Sequence, residues 1–177
     1  MSIIIYGSQY GTAKRYAEEL ARRTGFEIRE YSNTGDISGF ETIVYVGALY
    51  ASGVLGMKKT FDRLTDPSGK RIFIATVGVT DPTDKEYTDT VKGGMSKQLK
   101  QEVFDNARIY HLRGGIDYSK LSFKHKTLMG MLCKQAKKLP EEQRTADVRA
   151  MLETQNKTVD FVDFSSLDQI VQDIQFA

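Results

Sequence analysis

Ile3-Ile4-Ile5-Tyr6-Gly7-Ser8-Gln9-Tyr10-Gly11-Thr12-Ala13 sets the organisation of the whole chain. An apolar, β-rich run from Ser2 to Tyr6 stops at Gly7 and gives way to small polar residues. Helical spacing then begins, with Ala13, Tyr16, Ala17, Leu20 and Ala21 on one face. A strand, a short polar loop and a helix start, in that order, make an anion site. The first amides of the helix lack partners, and the positive end of its dipole faces the loop. Ser8 and Thr12 add hydroxyls, while Gly11 lets backbone approach a ligand with no Cβ in between. A terminal phosphate fits such a loop, and a simple βα turn capped by Ser8 or Thr12 is the plainer alternative.

The loop is neither G-x-G-x-x-G nor G-x-x-x-x-G-K-[ST], so both nucleotide fingerprints are absent. Ser8-Gln9-Tyr10-Gly11-Thr12-Ala13 instead resembles the FMN-phosphate loop of flavodoxins and of the flavodoxin-like domains of diflavin reductases. Tyr10 stands where those loops usually carry Thr. The resemblance implies an FMN whose phosphate is held mainly by backbone amides.

The 177 residues suit one domain with a substantial core, and none of the apolar runs approaches the roughly 18 residues of a membrane span. A strand that starts at once, with no basic and apolar leader, reads as a cytoplasmic protein without a signal peptide. One cysteine, Cys133, leaves no internal disulfide, and with only His111 and His125 no metal site is expected. The net charge of +2 conceals an asymmetry. Between Arg113 and Lys138 seven basic residues face one acid, Asp117, so the remainder is acidic. No nucleic-acid-binding motif accompanies that patch, and nucleic acid is not expected as a partner.

Along the chain, Glu27–Tyr31 alternates like an edge strand, and Thr42–Val46, Arg71–Val77 and Arg108–Arg113 are apolar runs suited to strands. Between them stand a helix carrying Met57, Phe61 and Leu64 and another carrying Met95, Leu99 and Val103. Ser165-x-x-Asp168 opens a last helix with Leu167, Ile170, Val171 and Ile174. The alternation predicts an α/β three-layer sandwich, flavodoxin-like, with a five-stranded parallel sheet of order 2-1-3-4-5. In such a sheet ligands bind beyond the strand C-termini at the switch point between the first and third strands.

Three loops then converge: Ser8–Ala13, Ala48–Gly53 and Thr76–Asp81. Ala48-Leu49-Tyr50-Ala51-Ser52-Gly53 resembles the flavin-flanking loop of flavodoxins, with Tyr50 as the ring stacker and Gly53 free to let a peptide turn. Thr76, Val77, Gly78 and Val79 would offer backbone groups to the pyrimidine end of the ring. His111, at the end of the fifth strand, is the one titrating candidate for the mouth, though a lone histidine there is more often structural.

Residues 115–156 are extra to an ordinary flavodoxin. Leu128, Met131, Leu132 and Ala136 give this segment one apolar face, and its lysines line the other. Such a helix packs on the body with its lysines in water, or rests on an anionic membrane or a flat apolar ligand. A flavodoxin-like body followed by Gly114-Gly115, Tyr118 and a basic Met/Leu helix resembles the bacterial flavodoxin-type, menaquinone-dependent protoporphyrinogen dehydrogenases. That resemblance implies oxidation of protoporphyrinogen IX through FMN to a quinone, peripheral to the inner face of the cell membrane. It marks Tyr118, Lys120, Lys124 and Lys126 as the surface meeting substrate or membrane. The competing reading is a flavodoxin carrying electrons to protein partners, against which the missing acidic docking face counts. An NAD(P)H-dependent quinone or azo reductase stays open, as does oligomerisation. A response regulator needs acids where Gly7 and Ser8 stand, and a low-molecular-weight phosphatase needs a cysteine there, so both are excluded.

Overall fold

The computed structural model describes residues 1–50 and 53–176. Its centre is a parallel sheet in which β1 (Ser2–Gly7), β2 (Glu27–Glu30), β3 (Thr42–Tyr50), β5 (Arg71–Gly78) and β6 (Ala107–Arg113) stand in the order β2-β1-β3-β5-β6. The short β4 (Gly53–Val54) pairs antiparallel with the end of β3. The expected 2-1-3-4-5 order is therefore found, and β1 and β3, the switch-point strands, run side by side from Ser2↔Thr42 to Gly7↔Gly47.

The apolar runs make central strands because both faces of the sheet are covered. Alternate residues of β1 enter opposite cores. Ile3 and Ile5 pack with Phe61, Leu64, Met95 and Val103 on one side, while Ile4 packs with Tyr16, Leu20, Leu167 and Ile170 on the other. α1 (Thr12–Thr24) and α7 (Asp168–Phe176) cover the second face, and α2 (Met57–Phe61), α3 (Lys85–Ser96) and α4 (Gln101–Asn106) the first.

Two boundaries differ from the sequence reading. The helix expected around Met95, Leu99 and Val103 is two helices, and the first begins ten residues earlier than Met95. Asp84 caps it by accepting the Tyr87 N–H at 2.9 Å, a start signal within a segment read as loop. At the C-terminus Asp163, not Ser165, caps the turn leading to α7, accepting the Ser165 N–H at 2.9 Å.

After β6 come β7 (Gly115–Asp117), α5 (Phe123–Ala136), α6 (Ala146–Thr154) and β8 (Thr158–Asp160). β7 and β8 form a separate antiparallel pair, and α6 packs against α5 and α3. Among the described residues no helix is long and apolar enough to cross a membrane.

Candidate functional site

The phosphate loop begins where β1 ends. Gly7 lies so close to the chain after β4 that a Cβ there would stand 2.0 Å from the Leu55 carbonyl oxygen. Gly11 adopts φ +94°, a left-handed value, and among the described residues no neighbour lies within 4 Å of its Cβ direction. α1 starts directly after it, with the Arg15 N–H on the Gly11 carbonyl at 3.0 Å. The Gly11 N–H is held by the Ser8 hydroxyl oxygen at 3.0 Å, yet no side chain caps the helix itself. Thr12, Ala13 and Lys14 thus present first-turn amides with no partner inside the helix. The first turn holds no acid. Orphaned amides, an open glycine and absent negative charge fit a dianionic phosphate. Gln9 and Tyr10 are exposed on the loop's outer side, and Ala13 is buried, so it offers only its N–H.

On both sides of residues 51 and 52, the second loop is strand. β3 runs on through Ala48, Leu49 and Tyr50, and Leu49↔Val54 and Tyr50↔Gly53 pair as a hairpin. Ala51 and Ser52 lie outside the described residues. The hairpin can fold back over the strand ends because Gly47, like Gly7, leaves no Cβ: one on Gly47 would stand 2.2 Å from Val54 Cγ1. Gln98 accepts the Val54 N–H at 2.9 Å, and its side chain occupies the space beside Gly53 where a Cβ would go. Sequence reading missed Gln98, since a polar residue in a helix–helix turn carries no periodic signal. Tyr50, 40 % exposed, is the last residue of β3 before the hairpin's turn.

The third loop is less available than expected. Thr76 and Val77 are buried within β5, paired in register with Gly47 and Ala48. The Gly78 carbonyl accepts the Gly114 N–H at 2.6 Å, and the Val79 carbonyl accepts Arg113 Nε at 3.2 Å. Tyr87 and Leu49 crowd over Gly78. These backbone acceptors serve the junction with the extra segment before any ligand.

That segment reaches the site through one residue. His125, in the first turn of α5, is bracketed by two tyrosines, with the Tyr10 hydroxyl on its Nδ1 and the Tyr50 hydroxyl on its Nε2. The exchange of the usual Thr for Tyr10 acquires a reason here, because only the longer side chain spans from the phosphate loop to α5.

The flavodoxin domain family matches residues 3–143, across β1 to the end of α5 and beyond. The chain belongs to that family. No relative among curated proteins matches it. Several solved structures are similar to it at low identity. Smu.1420 of Streptococcus mutans UA159 is 11% identical, with 88% of this chain and 99% of that one covered and a TM-score of 0.48. An archaeal flavodoxin is 14% identical, with 64% and 84% covered and a TM-score of 0.43. A flavodoxin variant from Pseudomonas aeruginosa is 18% identical, with 76% and 96% covered and a TM-score of 0.40. Family membership implies a flavin cofactor.

In the extra segment only part of the expected apolar face packs. α5 turns Cys133 and Ala136 inward, while Leu128, Met131 and Leu132 remain exposed at 44 %, 57 % and 41 %. Phe123, at the helix start, is more exposed still. Two apolar stripes occur on one helix, and periodicity alone cannot say which one packs. Tyr118, expected on the surface, is buried beside the Cys133 thiol, and burial pushes its hydroxyl up to about 12. Lys120 pairs with Asp117 at 3.5 Å, Lys126 donates to the Ser119 carbonyl at 3.3 Å, and both stay largely in water with Lys124.

His111 does not reach the mouth. It sits opposite Thr76 in the β5–β6 register, its Nδ1 sharing a 2.7 Å hydrogen bond with Thr76 Oγ1 and its Nε2 buried with no partner among the described residues. Burial, with the nearby Lys92 charge adding to it, lowers its pKa to about 4, so the ring is neutral at pH 7. Its unfolded counterpart protonates near 6.5. Stability is therefore full above that value and falls as the pH drops from about 6.5 towards 4, where the folded state begins to take up the proton too. For a half-buried group this amounts to about 1–2 kcal/mol after solvent screening. His111→Asn is expected to flatten the urea midpoint between pH 6.5 and 5, and an unchanged slope there would mean that His111 does not titrate differently on unfolding.

Proposed function

We propose that this flavodoxin is an FMN-dependent oxidoreductase of the protoporphyrinogen dehydrogenase kind. It would pass electrons from an anionic, largely apolar substrate to a quinone at the membrane surface. The observation that carries the reading is the exposed Phe123, Leu128, Met131 and Leu132 surface, edged by Lys120, Lys124, Lys126, Lys134, Lys137 and Lys138. The helix bearing it is tied at its first turn to both loops that would grip the flavin. A shuttle carrier has no need of exposed apolar side chains beside its cofactor, whereas a flat tetrapyrrole with two propionates meets both the apolar and the basic groups.

FMN, when bound, would supply the two-electron chemistry, and the residues around it supply position and charge. The first turn of α1 would hold its phosphate and Tyr50 would flank its ring, while the lysines of α5 would attract the acid groups of the substrate. For each two electrons and two protons that leave the substrate, one quinone becomes quinol.

The test is a triple substitution, Lys120→Gln, Lys124→Gln and Lys126→Gln. Each lysine near an anionic surface contributes roughly 1 kcal/mol, screened over about 10 Å at moderate salt. FMN affinity should be unchanged, while anaerobic electron transfer from protoporphyrinogen to a quinone analogue slows by at least tenfold and its salt dependence flattens. If the triple variant turns over like wild type, the patch is a solvated face and the electron-carrier reading takes its place.

A further inference from the structure

His125 joins two loops that the sheet by itself leaves apart. Tyr10 belongs to the β1–α1 loop and Tyr50 to the β3–β4 hairpin, and their rings meet the imidazole edge-on with centroid distances of 5.8 and 5.3 Å. Both ring nitrogens are engaged whichever tautomer is present, one accepting from a phenol and the other donating to one. The helix start backs this arrangement. Ser122 caps α5 by accepting the His125 N–H at 3.3 Å, and its own N–H points to the Tyr10 hydroxyl at 3.5 Å. His125 also lies four residues ahead of Met129 and eight ahead of Cys133, on the face of α5 that packs inward. The ring is therefore held from both loops, on a helix whose start is capped beside it.

We infer that His125 is a positioning residue of the flavin site: by bridging Tyr10 and Tyr50 it fixes the stacking tyrosine against the flavin and draws α5 over the site. This rests on the flavin reading of the three loops. Tyr50 is the last residue of β3, paired only with Gly53 of the two-residue β4, and its ring is partly exposed, so it has little support of its own. The imidazole supplies that support from outside the sheet. The same bridge brings the basic and apolar surface of α5 to the edge of the flavin, so one residue serves both cofactor pose and substrate approach.

The experiment is a double-mutant cycle on FMN binding to the apoprotein, read by flavin fluorescence and by the visible circular dichroism of the bound flavin. Tyr50→Phe keeps the ring and removes only the hydroxyl, and His125→Ala removes the bridge. Each single variant should weaken FMN binding by at least fivefold, and the double variant should be no more than about twofold worse than either, because both remove one interaction. His125→Gln, which can still donate and accept, should stay within threefold of wild type. Without flavin, tryptic cleavage after Lys124 and Lys126 should speed up severalfold in His125→Ala. If wild type binds FMN while both single variants keep its affinity, dichroism and cleavage rate, the inference is overturned and the flavin site stands. Losses that multiply in the double variant would also overturn it, since the two side chains would then act separately. If wild type binds no FMN, the flavin reading fails and takes the inference with it.

Discussion

Gly11→Asp should abolish flavin retention while leaving a folded protein. The glycine's φ of +94° costs an L-residue about 1–2 kcal/mol, and among the described residues no atom stands in the way of the new Cβ. The fold thus tolerates the change, at some strain. The ligand does not, because the new carboxylate sits at the start of α1, where the orphaned amides of Thr12, Ala13 and Lys14 await a negative group. It competes for those amides as a built-in anion and repels the phosphate. Together these should weaken FMN binding by more than a hundredfold, about 3 kcal/mol, measured by titration of the apoprotein. Wild-type flavin stoichiometry after purification would refute the assignment of the loop.

Gly7→Ala should be the more damaging change to stability. Its Cβ would stand 2.0 Å from the Leu55 carbonyl oxygen and 2.7 Å from the Tyr45 hydroxyl, and the first of these is backbone that cannot swing aside. The Tyr45 hydroxyl itself donates to the Leu55 carbonyl, so the hairpin, the core tyrosine and the end of β1 would have to part together. A forced shift of this kind costs about 3 kcal/mol or more, and for a chain of this length the melting temperature should fall by roughly 6–12 °C. Gly93→Ala provides the opposite sign. It lies inside α3 with nothing within 4 Å of its Cβ, and gains about 0.5–1 kcal/mol of helix propensity. A Gly7→Ala protein that melts with wild type would mean that the hairpin does not press on β1.

The two glycines differ in how legible they were. Gly11 announces itself, since a glycine between a small polar loop and a helical apolar pattern has few other uses. Gly7 and Gly47 read as strand ends, and only the structure shows that they make room for the returning hairpin. The buried strands were plain because each is an apolar run closed by a glycine or an arginine, and their order followed from strand–helix alternation. β4 was not legible: two residues carry no period. β7 and β8 were missed for the same reason, being three residues each.

The extra segment was misread at one point. Leu128, Met131, Leu132 and Ala136 share one face by helical spacing, but of these only Ala136 packs, together with Cys133, and the three larger side chains stay exposed. A signal for His125 existed, in its i, i+4 and i+8 spacing with Met129 and Cys133. Its neighbours Lys124 and Lys126 hid that spacing. The same misplacement of weight made His111 the candidate for the mouth, although its strand position sets it in register with Thr76 beneath the sheet's helical cover.

The central claim is that the β1–α1 loop holds the terminal phosphate of FMN, and comparing FMN with riboflavin tests it most directly. The two share the isoalloxazine ring and ribityl chain and differ only by the phosphate. Two charge-assisted hydrogen bonds at about 1.5–3 kcal/mol each suffice for a hundredfold preference. Titrating the wild-type apoprotein should give one FMN per chain, bound at least a hundred times more tightly than riboflavin, with the preference lost in Gly11→Asp. Equal affinities for the two, or no flavin binding at all, would contradict the account.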